Sequence, residues 1–120
     1  MAKRILIIED DSEVREALSD GLASAGLGVE LAVDGEDGLR RLQAGEAPSA
    51  ILLDLRLPRL GGAALLEQVR RDPRFDAVPV ITMTAGPDRA GGEVQAHLQK
   101  PFDLADLLDI VISLCNHQKN

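Results

Sequence analysis

Tryptophan and tyrosine are absent from this chain and only two phenylalanines occur, so a surface that stacks nucleobases or sugar rings has little to be built from. The single cysteine, Cys115, excludes an internal disulfide. No apolar run reaches the length of a membrane span and no secretory leader pattern is visible, which makes a reducing cytoplasm the expected compartment. Positive charge is in deficit as well: 13 lysines and arginines stand against 20 aspartates and glutamates, a formal charge of −7. Such a chain is repelled by the phosphate backbone of nucleic acid and by an anionic leaflet, so neither nucleic acid nor membrane is expected as a direct partner.

What is present is a chain of 120 residues in which two kinds of segment alternate. That length suits one domain able to bury its own core, and no repeat, linker or low-complexity stretch divides it, so a single domain over 1–120 is expected. Apolar runs bounded by turn residues occur at 4–8, roughly 29–33, 50–53 and 78–83, with a weaker one at 96–99. Between them lie stretches with helical spacing. The first carries Val14, Leu18, Leu22 and Ala25, the second Leu39 and Leu42, the third Leu65, Leu66 and Val69, and the last Leu104, Leu107, Leu108, Val111 and Cys115. Strand and helix in alternation predict an α/β fold with a parallel sheet covered on both faces, and continuous apolar runs fit strands buried on both sides. The punctuation agrees. Gly26 and Gly28 close the first helix, Gly45 and Pro48 the second, and Asp72-Pro73 the third, while Asp103 and Asp106 are placed to start the last.

The run from Ile5 to Glu13, "ILIIEDDSE", drives a greasy segment into a knot of carboxylates. In a doubly wound sheet the ligand site lies beyond the carboxyl ends of the strands. Glu9 and Asp10 fall at the end of the first strand, Asp54 at the end of the third, Thr84 at the end of the fourth and Lys100 at the end of the fifth. Four strands thereby deliver polar groups to one rim. Clustered carboxylates raise one another's pKa unless a cation sits among them, and an all-oxygen donor set suits Mg²⁺ before Zn²⁺. Three carboxylates balance one divalent ion and one lysine, leaving a site that can accept the extra charge of an acyl phosphate on Asp54.

On "IIEDD", "LLDLRLPRLGG", "VITMTA" and "LQKPF", in this order and approximate spacing, the chain resembles the receiver domain of two-component response regulators over essentially its full length. The resemblance implies a flavodoxin-like, doubly wound five-stranded parallel sheet of order 2-1-3-4-5. It implies that Glu9 and Asp10 hold Mg²⁺, that Asp54 is ligand and phosphoacceptor, and that Arg56 offers its backbone carbonyl to the metal. Thr84, the Ala85 amide and Lys100 would bind the phosphoryl group, and Lys100-Pro101 would be cis. Pro58 and Gly62 match the loop after the acceptor strand. Arg56 and Gly86, two residues beyond Asp54 and Thr84, would flank the path of a hydrolytic water and tune the lifetime. The implied partner is a histidine kinase or histidine phosphotransfer protein, with an unidentified downstream target.

Several of these residues have plainer roles open to them. Asp11, Ser12, Glu13 and Glu16 read as the acidic start of a helix, and Glu9 and Asp10 could cap it too. Cys115 lies on an apolar stripe and reads as packing, and His117 belongs to a polar tail. His97, three residues before Lys100, is either an edge-strand histidine half in solvent or a switch residue, since related domains carry there an aromatic ring that turns inward on phosphorylation.

One departure stands out. Fifteen residues, 85–99, separate Thr84 from Lys100, and they include Gly86, Pro87, Gly91 and Gly92, which are poor helix material. The helix that related domains hold here is expected to be shortened or absent, which puts their usual output surface in question. The expected function is acceptance of a phosphoryl group on Asp54 in a Mg²⁺-dependent reaction that switches partner binding. The chain is expected not to be an enzyme, but a phosphoacceptor domain with intrinsic self-phosphorylation and autodephosphorylation chemistry. A phosphorylation-independent interaction module is the alternative, and a free-standing Mg²⁺-dependent phosphohydrolase ranks last.

Overall fold

The computed structural model describes residues 3–86 and 94–117. The branched apolar runs extend into strands: β1 (Arg4–Ile8), β2 (Gly28–Ala32), β3 (Ala50–Asp54), β4 (Val80–Thr84) and β5 (Ala96–Gln99). The segments with helical spacing coil into α1 (Ser12–Ser24), α2 (Gly35–Ala44), α3 (Gly62–Arg71) and α4 (Leu104–His117), with one short 3₁₀ turn, Pro73–Phe75, before β4. All strand pairs are parallel and the sheet order is β2-β1-β3-β4-β5, the arrangement expected of the resembling family.

Because alternate strand residues point to opposite faces, the sheet sorts its own side chains into two cores. Leu6, Ile8, Ile51, Leu53 and Val80 face α2 and α3, meeting Leu42, Leu65, Leu66 and Val69. Ile5, Ile7, Leu52, Ile81 and Met83 face α1 and α4, meeting Leu18, Leu22, Leu107, Val111 and Cys115. The central β3 is buried at every position, whereas the edge strands β2 and β5 are mostly half-buried. Cys115 is a packing residue, and burial pushes its thiol above the ordinary range.

The helix ends follow the sequence punctuation. Asp11 caps α1, its Oδ1 accepting from the amides of Glu13 at 2.9 Å and Val14 at 3.3 Å. The same helix ends where Gly26 takes a left-handed φ of 88°, its amide bonding the Ala23 carbonyl at 3.0 Å while Leu27 bonds Leu22 at 3.1 Å. Gly45 and Asp72 are the C-caps of α2 and α3, and the Asp103 carbonyl accepts from Asp106 at 3.1 Å to begin α4.

Two strand boundaries differ from the apolar runs. The fourth strand begins at Val80 instead of position 78, because Pro79 has no N–H to donate to a ladder and contributes only its carbonyl, to Ile51 at 3.0 Å. The second begins at Gly28 and stops before Val33, which is left 45 % exposed. The expectation of a shortened or absent helix between β4 and β5 falls mostly on 87–93, outside the described residues; among the described residues the chain has four α-helices and none in that interval. None of them is long and apolar enough to cross a membrane.

Candidate functional site

Parallel strands place all their carboxyl ends on one rim, and the acids predicted from sequence meet there. Each of Glu9, Asp10 and Asp54 offers a carboxylate oxygen lying within 4.8 Å of the others. Glu9 is fully buried and Asp54 is 4 % exposed, whereas Asp10 points to solvent. The backbone pins the two buried acids: the Glu9 amide bonds Ala32 on β2 at 3.1 Å, and the Arg56 amide donates to Asp54 Oδ1 at 2.9 Å. Lys100 closes the site from the far side of the sheet, with Nζ 2.6 Å from Glu9 Oε1 and 3.1 Å from Asp54 Oδ2. The peptide that follows it, Lys100-Pro101, is cis, as the resemblance implied.

Electrostatics reflect this crowding. Burial, together with a hydrogen bond shared with Asp54, pushes the Glu9 carboxyl up to about 7, while Lys100 and the Asp11 amide pull it down. For Lys100 burial disfavours the charge, but its bonds to Glu9 and Asp54 outweigh that and hold the ammonium above its ordinary value. A buried carboxyl held partly protonated beside two others, with only oxygen donors, is a site that a hard divalent cation fits.

Thr84 is fully buried at the end of β4, its Oγ1 accepting from the Gly86 amide at 3.4 Å, and its carbonyl bonds the Lys100 amide at 2.7 Å. Ala85 follows at the exposed rim and, with Lys100, Pro101 and Phe102, lines an open apolar cavity of about 490 Å³ that continues to Val14 and Leu18 on α1. The Arg56 guanidinium lies directly over Gly86, where a Cβ would overlap it. Pro58 sits in the loop after β3, and Gly62 packs so tightly under that strand that a Cβ would stand 2.5 Å from the Asp54 carbonyl. His97 is not among the acids. Half-buried on β5, it pairs through Nδ1 with Thr82 Oγ1 at 2.6 Å, two residues before Thr84. Asp11 serves the helix start, as the plainer reading had it.

Two features went unseen in the sequence. Arg15, one turn into α1, donates from Nη1 to the carbonyls of Glu9 at 2.8 Å and Asp10 at 3.4 Å, bracing the acidic turn. The contact is to backbone carbonyls outside the helix, so no spacing pattern announced it. Asp34, the N-cap of α2, binds Arg59 in the loop after β3, a contact no local pattern announces.

Comparison with known proteins agrees with this fold. A family model described as the response regulator receiver domain matches residues 5–112. The chain is 39 % identical over 114 residues to a response regulator, MprA, of Mycolicibacterium vanbaalenii, covering 90 % of this chain and 48 % of that protein. It spans about half the length of the curated relatives it matches. Among solved structures, a CheY-like response regulator receiver domain protein from Methanospirillum hungatei superposes with a TM-score of 0.89 at 26 % identity, covering 99 % of this chain and 98 % of that one. The receiver domain of the sensor histidine kinase PA1611 from Pseudomonas aeruginosa, whose structure has a magnesium ion coordinated in the active site cleft, superposes with a TM-score of 0.87 at 29 % identity, covering 97 % and 99 %.

This chain belongs to the response regulator receiver domain family of two-component signalling. The expectation that it is not an enzyme does not stand. The family match establishes a receiver domain, and the self-phosphorylation chemistry expected of such a site contradicts a flat exclusion of catalysis.

Proposed function

We propose that this chain is a single cytoplasmic receiver domain that takes a phosphoryl group from a phosphohistidine on a histidine kinase or phosphotransfer protein onto Asp54, in a Mg²⁺-dependent reaction, and thereby switches partner binding. The observation that carries this reading is the convergence of three acids from β1 and β3 with Lys100 from beyond β5, Nζ within 3.1 Å of Asp54. A bound divalent cation would supply charge neutralisation for the incoming phosphoryl oxygens. Glu9, Asp10, Asp54 and the Arg56 carbonyl are the groups that would hold it.

The chain's own residues account for the rest. An Asp54 carboxylate oxygen attacks phosphorus in line; a phosphorus–oxygen bond forms, the phosphorus–nitrogen bond breaks, and the imidazole leaves with the electron pair, neutral because its other ring nitrogen already carries a proton. The Arg56 amide orients the nucleophile before the attack. Lys100, already within reach of Asp54, pairs with the transferred group, and the Thr84 hydroxyl and Ala85 amide bind its oxygens. The cavity beside Ala85 and Lys100 is where the donor's protein surface would cover the site. Hydrolysis returns the carboxylate, with Arg56 lying over Gly86 across the water's approach. His97 is the switch candidate: a hydroxyl of Thr84 drawn toward a phosphoryl group alters the strand that bears its partner Thr82.

Incubation with Mg²⁺ and a small acyl phosphate should give a hydroxylamine-labile mass increase of one phosphoryl group, absent from Asp54→Ala. Loss of the adduct on removing Mg²⁺ is also expected. A folded wild-type protein that never forms it would leave an interaction module that works without phosphorylation.

A further inference from the structure

The loop from β3 to α3, 55–61, carries two consecutive non-glycine residues in the left-handed region, Arg59 at φ 48° and Leu60 at φ 87°. Such backbone is costly for residues with a Cβ and persists only where surroundings hold it. Here the holder is the N-terminus of α2. The Asp34 carboxylate, 8 % exposed, accepts from the Asp37 amide through Oδ1 at 2.7 Å and from Arg59 Nε through Oδ2 at 2.9 Å. The Glu36 amide donates to the Arg59 carbonyl at 3.0 Å. Gly35 lets the Leu60 carbonyl rest where any Cβ would collide with it, while Leu57 and Leu60 pack on the core under α2 and α3. The other end of this loop is the Arg56 amide on Asp54 Oδ1.

We propose that Asp34 and Arg59 form a positioning clamp for the acidic site: by seating loop 55–61 on α2, they hold the Arg56 amide on Asp54 and so set the direction in which Asp54 Oδ2 is presented. Neither residue touches the site. Both act through the loop, and Arg59 does so although its side chain is 65 % exposed, because the carboxylate it meets is buried and already fixed by the helix. The functional consequence rests on the reading of Asp54 as metal ligand and phosphoacceptor; the geometric one does not.

The test uses Arg59→Gly, Asp34→Asn and Arg59→Lys. Glycine accepts the left-handed φ without a Cβ penalty, so the first variant removes the guanidinium and keeps the fold, as circular dichroism should show. In metal-free protein, amide exchange followed by NMR should show the Arg56 amide exchanging faster in Arg59→Gly and in Asp34→Asn. Mg²⁺ titrated calorimetrically should bind both about tenfold more weakly than wild type, the size of effect that supporting partners of metal ligands have. Arg59→Lys should recover part of the loss. The two variants change local charge in opposite directions, so long-range electrostatics alone would strengthen Mg²⁺ binding in one and weaken it in the other. Opposite shifts, or an unchanged Mg²⁺ affinity in both, overturn the clamp. So does unchanged Arg56 exchange. Should wild type itself bind no Mg²⁺ and accept no phosphoryl group, the phosphoacceptor reading fails, and Arg56 exchange alone then decides the clamp.

Discussion

The ammonium of Lys100, just beyond edge strand β5, lies 2.6 Å from Glu9 Oε1 at the end of β1, with β3 and β4 between them in the sheet. The contact reaches 3.1 Å from Asp54 Oδ2 as well, so one cation serves two buried acids from different strands.

Removing that cation should make stability more pH-dependent. Glu9 is raised from 4.5 to about 7 in the folded protein. Folding therefore takes up a proton between those values, and this residue's contribution to stability falls as pH rises through them. Lys100→Ala removes a group that pulls the Glu9 value down, so the fall should continue to higher pH. Metal-free urea titrations should show the variant losing about 1 to 3 kcal/mol relative to wild type above neutrality and less in mild acid. Phosphoryl uptake on Asp54 should drop in parallel.

Asp10 should separate folding from the proposed function. It is exposed at the mouth of the site while contributing an oxygen to the acid cluster. Asp10→Asn should change unfolding free energy by no more than about 0.5 kcal/mol, yet weaken Mg²⁺ binding by about tenfold or more. Calorimetric Mg²⁺ titration beside thermal denaturation checks both halves.

Gly62 tests how closely α3 must approach β3. A Cβ there would stand 2.5 Å from the Asp54 carbonyl oxygen and 2.6 Å from the Leu55 Cα, both backbone atoms with little room to yield. Gly62→Ala should destabilise by about 1 to 3 kcal/mol and slow phosphoryl uptake, because the displaced backbone carries Asp54, the proposed nucleophile. A urea midpoint and an initial rate with acyl phosphate measure the two effects.

The acid limb of stability should trace partly to α2. The Asp37 amide and then Arg59 hold the Asp34 carboxyl below its ordinary 3.8. Burial raises Asp37, but the Val33 amide and Arg40 outweigh it and leave that carboxyl lowered too. A depressed carboxyl stabilises the fold above the unfolded value, and the contribution is lost as pH falls through the folded one. Asp37→Asn should therefore cost about 1 kcal/mol near neutrality and show a shallower loss of stability from about pH 5 down to about pH 2, read from urea titrations across that range.

Much of this site was legible because its pieces are local. A strand buried on both faces writes itself as an uninterrupted apolar run, and the first polar residue after it marks the rim; Glu9 and Asp54 follow such runs, whereas Thr84 ends a run interrupted by Thr82 and Lys100 follows the half-buried β5. The four strand-end residues also lie in recognisable family motifs. The failures have physical causes. Proline's missing N–H moved the start of β4, and periodicity does not register one absent donor. His97 could be assigned a strand face, but its partner Thr82 depends on the register of β4 against β5. The Asp34–Arg59 contact joins residues 25 positions apart through a left-handed turn, which no spacing rule encodes.

By itself the sequence determined the alternation of strand and helix, the two-sided core and the chemical kind of the rim, since these follow from side-chain period, capping residues and the order of charge along the chain. Tertiary structure decided the rest: that Lys100 meets Glu9 as well as Asp54, that Arg15 braces the acidic turn, and that α2 seats the loop beyond β3. Those relations depend on distances between elements. Distances of that kind arise only once sheet order, register and helix packing are fixed together, because a shift of a few ångströms leaves a chain's local pattern intact while undoing every hydrogen bond across it.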